Sequence, residues 1–223
     1  MVQVKSYKLP PTKLIPNSPQ PLLHYPKFLK DGGESKTTQA YDLFHENGWE
    51  LQWIFRYGPT QTSHYHSSTH ECMAVLTGSA TIRFGAADTS DDLEESTHGT
   101  GKEEAGVEVH AEAGDVFIIP AGVAHKTFDT TPAAEFALIS PGDGHGIAAA
   151  DKRAALQNVK LEGFTMLGAY PHGGLWDFAK GGEEDVSFER VWAVAKPESD
   201  PVLGKSAEGL CGLWLDPKLK LRL

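Results

Sequence analysis

Residues 58–78 of this chain read GPTQTSHYHSSTHECMAVLTG and place His64, His66, His70 and Glu71 within a few positions of one another. In an extended strand successive side chains point to opposite faces, so His64 and His66 face the same way. The small polar residues that follow favour a turn, and the apolar run after Glu71 is typical of a buried strand. The spacing therefore predicts that imidazoles and a carboxylate converge, and this donor set suits a divalent transition metal ion.

A second stretch supports the same interpretation. Residues 114–129 read GDVFIIPAGVAHKTFD. The apolar run before Pro120 predicts a strand, and Pro120 and Gly122 supply the backbone angles that a tight turn needs. His125 then begins the returning strand, and a hairpin of this kind can bring its ring back to the first histidines. The chain has ten histidines, so chance proximity is the alternative, and this second stretch makes it the weaker one.

Together the two stretches resemble the paired signature motifs of the cupin superfamily. The matching positions are Gly58, His64, His66, Glu71 and Gly78 in the first motif and Gly114, Pro120, Gly122 and His125 in the second. Asp129 stands where the family usually has Asn, at a position outside the metal shell. The resemblance implies an all-β fold, the cupin double-stranded β-helix or jelly-roll barrel of the RmlC-like type. We expect an N-terminal arm and a few short helices around it.

The resemblance also implies the composition of the site. His64, His66, Glu71 and His125 would bind one divalent transition metal ion (Fe, Mn, Ni, Cu or Zn) inside the barrel. His70 is the rival of Glu71 for this role. The family spacing favours Glu71, so we expect His70 to be a neighbour that forms hydrogen bonds or faces solvent.

Composition limits the classes of function. The chain has 223 residues, which favours one domain, and its net charge of −10 argues against binding nucleic acid or an anionic membrane. No segment has the apolar length needed to cross a bilayer, and the first residues lack the apolar core of a secretory signal. Cys72 and Cys211 are best interpreted as reduced thiols of a cytoplasmic protein, with a disulfide as the alternative.

Residues 1–48 are predicted to form an arm and a short helix packed on the barrel. The prolines of this segment exclude a long helix, and we expect Leu22, Leu23 and Tyr25 to be buried. Residues 38–47 have helical spacing, a Thr as the plausible N-cap and a glycine as the stop.

A narrower resemblance concerns the same arm. The opening segment, residues 168–171 and residues 199–204 are similar to segments of the YjlB-like cupins, a group of single-domain cupins. The partners that follow are a small-molecule substrate and, since cupins often pair edge to edge, a homodimer.

Residues 49–195 are predicted to form the single barrel. Residues 49–57 alternate so that Trp49, Leu51, Trp53, Phe55 and Tyr57 would share one face. Core filling is the first interpretation of this face, and pocket lining by Trp53 or Tyr57 is the alternative. Further strands are predicted over residues 79–84, 107–112, 134–140 and 163–171, whereas residues 187–195 fit a strand or a short helix.

Four other segments complete the chain. Residues 85–105 are acidic and are predicted to form a long, mobile, solvated loop, and residues 146–158 a helical insert. Residues 172–182 carry glycines and Trp176, and fit a lid over the barrel mouth as well as a plain surface loop. Residues 196–223 are expected to pack on the barrel as a C-terminal tail.

The donor set leaves two broad chemistries open. We favour a metal-dependent dioxygenase acting on a small organic acid, a diketone or a phenolic substrate. A metal-dependent isomerase, lyase or decarboxylase is the runner-up, and a non-enzymatic small-molecule or metal-binding cupin is the third class. No dedicated catalytic base is evident besides the four ligands. His70, His110 and His172 are candidates for that role, with a surface or structural role as the stronger alternative.

Overall fold

The computed structural model describes residues 2–32, 35–184 and 186–215. Within these ranges ten strands and five short helices form the fold. The strands are β1 (Lys5–Tyr7), β2 (Leu22–Tyr25), β3 (Trp49–Arg56), β4 (Glu71–Thr77), β5 (Ser79–Phe84), β6 (Val107–Glu112), β7 (Val116–Ile119), β8 (His125–Thr131), β9 (Ala137–Leu138) and β10 (Thr165–Pro171). The helices are α1 (Lys36–Glu46), α2 (Leu93–Thr97), α3 (Lys152–Gln157), α4 (Phe188–Trp192) and α5 (Leu210–Leu213).

Two antiparallel sheets confirm the predicted all-β jelly-roll fold. The larger sheet has the order β1-β2-β7-β4-β10-β3-β9, and the smaller has the order β6-β5-β8. One apolar core lies between the sheets, and a second lies between the larger sheet and the helices and tail. Strand β4 contributes alternate residues to each: Met73 and Val75 to the first core, Cys72, Ala74 and Leu76 to the second. Because both of its faces are covered, β4 is apolar from Cys72 to Leu76, as its sequence predicts.

Strand β3 departs from the prediction that its aromatic residues share one face. Opposite β10, Trp53 pairs with Gly168 and Leu51 pairs with Ala169, so Gln52 is an extra residue in β3. A bulge of this kind reverses the alternation of side chains beyond it. Trp49 and Leu51, before the bulge, therefore pack in the outer core, between the larger sheet and the helices. Trp53 and the aromatic residues after it pack in the inner core, between the two sheets.

The acidic segment over residues 85–105 is more ordered than the predicted solvated loop. It contains α2, whose N-cap is Asp92, and Ser96 on this helix is fully buried. The carboxylate of Asp88 contacts the ammonium group of Lys126 at 3.1 Å and the guanidinium group of Arg83 at 3.0 Å. Both cations are buried, so Asp88 supplies their compensating charge. Much of the segment is exposed, including Asp91–Glu95, and its mobility stays a prediction, but the pairing of Asp88 with Lys126, distant in the sequence, anchors its first part.

Smaller differences concern the other helices and strands. Helix α1 begins two residues before the predicted start, and its N-cap is Ser35 rather than a threonine. The predicted strand over 134–140 contracts to β9, and the undecided segment 187–195 contains α4. Helix α3 lies within the predicted insert 146–158.

The N-terminal arm is part of the larger sheet. Strand β2 pairs with β7, and the predicted burial of Leu22, Leu23 and Tyr25 is confirmed. Both cysteines, Cys72 and Cys211, are free thiols. Among the described residues no helix combines the length and the apolar character that a membrane span requires. The division of the chain at residues 48 and 195 stays a prediction, and the last part of the tail, residues 216–223, lies outside the described residues.

Candidate metal centre

Three histidine rings from the two motifs meet at one end of the barrel. His64 and His66 lie in the connection between β3 and β4, and His125 is the first residue of β8. The backbones of His64 and His125 form a two-way bridge, with N–H to O distances of 3.2 and 2.8 Å. One ring nitrogen from each histidine lies within 4.8 Å of the others, and all three residues are buried. The hairpin predicted from Pro120 and Gly122 therefore does bring His125 back to the first motif.

The carboxylate of Glu71 faces the same point. Its Oε2 atom lies 3.3 Å from Nε2 of His66 and 3.4 Å from Nε2 of His125. The other oxygen, Oε1, accepts a short hydrogen bond of 2.5 Å from the hydroxyl of Tyr170, which in turn accepts one of 2.9 Å from the indole N–H of Trp53. This relay fixes the carboxylate so that Oε2 is the atom turned towards the histidines.

The contacts of Nδ1 in each histidine ring determine which ring nitrogen has a free lone pair. Nδ1 of His64 lies 3.2 Å from the carbonyl oxygen of Thr62, and Nδ1 of His125 lies 3.3 Å from that of Val123. Nδ1 of His66 lies 2.5 Å from the carbonyl oxygen of residue 177. A carbonyl oxygen only accepts, so in the neutral form of each ring these contacts place the proton on Nδ1 and leave Nε2 with its lone pair. Metal-binding histidines are oriented by the same type of backbone contact.

The electrostatics of the cluster fit a cation. Burial lowers the pKa of His125 to about 4, and burial together with the neighbouring rings lowers the pKa of His64 well below its usual value. Although burial opposes the charged forms, the contact between Glu71 and His66 lowers the pKa of the carboxyl and raises the pKa of the ring. The Oε2 atom of Glu71 has no hydrogen-bond partner among the described residues. A buried carboxylate oxygen beside neutral imidazole nitrogens is a donor set that a divalent ion would complete.

His70 lies outside the cluster, as expected of the rival residue. Its Nδ1 accepts a hydrogen bond of 2.9 Å from the backbone N–H of Ala121, so its Nε2 donates to the carbonyl oxygen of Ala195 at 3.1 Å. The ring packs on Trp214 in the C-terminal tail. His70 is therefore the hydrogen-bonding neighbour that the spacing predicts, with a structural role.

The two other candidate bases are also distant from the cluster. His110 is exposed on β6, and His172 is exposed and contacts Glu50 at 2.6 Å. Asp129, which replaces the Asn of the family motif, contacts His98 at the surface and has a positive φ of 53°. Asn and Asp are the residues that tolerate this backbone conformation best after glycine, which explains why the replacement is harmless here.

A cavity of about 110 Å³ opens onto the cluster. Trp53 and Tyr57 line it and also belong to the inner core, so both interpretations of these residues are correct. The indole of Trp53 lies against β10 at Gly168, where a Cβ atom would approach the ring to 2.1 Å. The full lining consists of Trp53, Phe55, Tyr57, Gln61, His64, His66, Glu71, Met73, His125, Phe136, Tyr170, Trp176 and Phe178.

Residues 172–182 contribute Trp176 and Phe178 to the wall of this cavity, and we call them the cover segment; whether they act as a lid stays a prediction. Phe178 stacks on the ring of His64 with a centroid distance of 4.0 Å. The carboxylate of Asp177 accepts hydrogen bonds of 2.7 Å from both the backbone N–H and the hydroxyl of Ser67. The cover segment therefore forms part of the cavity wall and also holds the residue whose carbonyl oxygen orients His66.

Several residues of the site could not be identified from the sequence. Tyr170 lies in a predicted strand, but only the strand pairing shows that its hydroxyl reaches Glu71. Phe178 lies two positions after Trp176 in the suspected lid, so the same alternation would have indicated it. Phe136 gave no local signal, since its place at the mouth depends on the path of the chain before β9.

The sequence motifs, the jelly roll and the buried histidine cluster together define the class. The Cupin family profile matches residues 26–161, more than half of the chain, and the protein belongs to the cupin family. Over 219 residues it is 29% identical to the uncharacterized protein YjlB of Bacillus subtilis (strain 168), covering 96% of this chain and 98% of that protein.

Solved structures with a similar fold are more distant. Oxalate decarboxylase from Lactobacillus farciminis, in complex with formate, is 16% identical with a TM-score of 0.29 over 57% of this chain. The QdtA 3,4-ketoisomerase from Thermoanaerobacterium thermosaccharolyticum is 15% identical with a TM-score of 0.30 over 56% of this chain. The chain spans only 27% and 60% of the lengths of these two proteins.

Proposed function

We propose that this cupin binds one divalent transition metal ion through His64, His66, His125 and Glu71 and acts as a metal-dependent dioxygenase on a small enolisable or phenolic substrate. The convergence of three Nε2 lone pairs and one unpartnered carboxylate oxygen supports the ligand assignment. When bound, such an ion would supply redox chemistry and open coordination positions for the oxygen atoms of a substrate.

The observation that carries the choice of reaction is the lining of the cavity. Among the described lining residues, the titratable groups are the cluster itself and the hydroxyls of Tyr57 and Tyr170. Burial and the nearby carboxylate of Glu71 raise the pKa of both tyrosines well above the usual value, so neither hydroxyl acts as a base near neutral pH. Isomerases and lyases need a group that moves a proton. A dioxygenase that takes up its substrate as an enolate or phenolate does not need a separate one.

The size and polarity of the cavity favour a small substrate with one negative charge. At about 110 Å³ it is smaller than the roughly 300–1,000 Å³ of pockets that hold drug-sized ligands. A divalent ion with one carboxylate and neutral imidazoles has a net charge of about +1, which one enolate or phenolate neutralises. No lysine or arginine lines the cavity among the described residues, so a dianion would lack a second cationic partner.

Oxygen-electrode assays test this proposal. The protein is loaded in turn with Fe, Mn, Ni and Cu and supplied with β-diketones, flavonols and catechols. We expect oxygen uptake with at least one metal and one substrate class, and loss of that uptake in Glu71→Gln. Absence of uptake across the whole panel contradicts the dioxygenase, and product formed without oxygen uptake favours the isomerase, lyase or decarboxylase. The cytoplasmic location and the homodimer stay predictions.

A further inference from the structure

Large aromatic side chains surround the mouth of the cavity and remain exposed. Phe136 is 60% exposed and Phe178 is 49% exposed, although both line the cavity. Phe55 and Trp176 complete this group, which we call the aromatic collar. Exposed rings carry a hydration cost, and a set of them at the opening of a candidate site indicates something apolar to bind.

The collar rings are held in place by contacts on both sides of the mouth. On one side Phe136 stacks on Phe55 with a centroid distance of 5.1 Å and an interplanar angle of 20°. On the other side Phe178 stacks on His64, and the indole N–H of Trp176 donates a hydrogen bond of 2.9 Å to the carbonyl oxygen of Gly144. The collar is therefore preorganised, which lowers the entropic cost of binding a flat ring.

Charge divides the wall of the cavity into two parts. The inner part holds the metal-binding groups, and the collar lines the mouth of the same cavity of about 110 Å³. The collar has aromatic faces and no ionic group of its own. A ligand that fits both parts has a small oxygen-bearing head and an apolar ring directly attached to it.

We propose that the aromatic collar is a subsite for an aromatic group of the substrate, so that the substrate class is an aryl-substituted enol or phenol whose oxygen-bearing head enters the inner cavity. This inference rests on the proposed function for the identity of the head group. It adds Phe136 and Phe178 as residues that determine specificity. The aryl ring of the substrate packs between these two side chains, where offset or edge-on ring contacts add to the burial of apolar surface.

Calorimetric titration of the zinc-loaded protein tests the subsite without turnover. The probes are acetylacetone and benzoylacetone, which share the diketone head and differ by a phenyl ring in place of a methyl group. We expect the zinc-loaded protein to bind benzoylacetone about tenfold more tightly than acetylacetone, because the ring buries additional apolar surface in the collar. Equal affinity for the two probes overturns the subsite.

Three variants assign the advantage of the phenyl ring to the collar. Phe136→Ser is expected to lower the affinity for benzoylacetone much more than the affinity for acetylacetone, so that most of the phenyl advantage is lost, since Phe136 contacts none of the histidines of the cluster in its described ring contacts. Phe136→Leu, which keeps the apolar volume, should retain part of it. The matched control is Leu175→Ser, because Leu175 is 65% exposed in the cover segment but does not line the cavity. A phenyl advantage that survives in Phe136→Ser overturns the proposal.

The exposed rings could alternatively form an interface between copies of the chain. Sedimentation velocity of the wild type and of Phe136→Ser separates the two: an unchanged oligomeric state supports the subsite, and dissociation on substitution overturns it. Failure of the subsite and failure of the dioxygenase are also distinguishable. If the zinc form prefers the phenyl probe but no metal form takes up oxygen, the subsite is supported and the dioxygenase is contradicted. If oxygen is taken up with diketones but there is no phenyl preference, the dioxygenase is supported and the subsite is contradicted.

Discussion

Among the described residues, the two most deeply buried carboxylates are compensated in different ways. Asp200 is 0% exposed and Glu71 is 1% exposed. Asp200 accepts four hydrogen bonds, two on each oxygen. The donors are the backbone N–H groups of Val202, Leu203 and Leu210 and the hydroxyl of Tyr25. The chain itself therefore satisfies this carboxylate in full.

Glu71 receives one hydrogen bond, from Tyr170, and its second oxygen has none among the described residues. A buried carboxylate oxygen without a hydrogen bond is costly, and only the rings of His66 and His125, at 3.3 and 3.4 Å, face this one. The difference indicates that Asp200 stabilises the fold, by tying the tail to β2, whereas Glu71 is held ready for a cation. A buried carboxylate by itself does not mark a site; its unsatisfied oxygen does.

The largest expected effect is on stability, at Asp200. Asp200→Ala removes the acceptor of four buried donors, and we expect the free energy of unfolding to fall by about 4 kcal/mol. Urea denaturation of the metal-free protein measures this loss. Glu71→Gln is the matched variant and should change the stability of the metal-free protein by less than about 1 kcal/mol, because the amide oxygen can still accept the hydrogen bond from Tyr170. Equal losses in the two variants would remove the distinction between the two carboxylates.

The second prediction concerns metal affinity, which we expect to depend on Glu71. Glu71→Gln replaces an anionic oxygen donor with a neutral amide, and we expect the affinity for Zn²⁺ or Mn²⁺ to fall by about 100-fold or more, beyond the 10–100-fold typical of residues that only orient ligands. Competition with a chromogenic chelator measures the affinity. Glu198→Gln, an exposed residue away from the cluster, serves as control and should bind as the wild type does. Wild-type affinity in Glu71→Gln would assign this carboxylate to structure alone.

A smaller effect is expected in the cover segment. Asp177→Ala removes both hydrogen bonds to Ser67, so the carbonyl oxygen that orients His66 is held less firmly. We expect metal affinity to fall by about tenfold, the lower end for residues that orient a ligand. The same chelator competition applies, with Leu175→Ala in the same segment as control. An effect of equal size in both variants would indicate loosening of the whole segment rather than the Asp177 contacts.

The smallest effect is a pH dependence at a third carboxylate, Asp115. Although burial opposes its ionised form, the contact with Nε2 of His24 at 3.2 Å and the hydrogen bonds from the backbone N–H groups of Lys27 and Glu112 lower the pKa of Asp115. Its folded pKa therefore lies below the unfolded value of about 3.9. The stability that it contributes is complete above that value and is lost as the pH falls through the folded pKa.

Urea unfolding between pH 6 and pH 3 measures this contribution. We expect the free energy of unfolding of Asp115→Asn to fall by about 1 kcal/mol less than that of the wild type over this pH range. Asp91→Asn, at an exposed position, should follow the wild-type curve. Parallel curves for the wild type and Asp115→Asn would show that this carboxylate does not contribute to acid sensitivity.

The sequence predicts the centre of the site well because its signals are local. His64 and His66 are two positions apart, so their side chains are expected to point the same way. A proline and a glycine indicate the turn before His125. These features follow from neighbouring residues. The preference for Glu71 over His70 came from the family spacing, and the hydrogen bonds of His70 to Ala121 and Ala195 give it a physical reason.

What the sequence could not predict depends on pairing between distant segments. The bulge at Gln52 is visible only in the register against β10, and it moves Trp53 to the cavity side. The anchoring of residues 85–105 depends on Asp88 meeting Lys126, and a run of acidic residues gives no sign of such a partner. The hydroxyl of Tyr170 and the ring of Phe136 reach the site through the same kind of long-range packing.

The most direct test of the central claim is the metal content of the protein purified without chelators and reloaded with one metal at a time. We predict one equivalent of a divalent transition metal ion in the wild type and in His70→Ala, and almost none in His64→Ala or His125→Ala, together with a lower melting temperature on loss of the metal. Stoichiometric metal in either of the last two variants, or none in the wild type under any loading condition, would contradict the account.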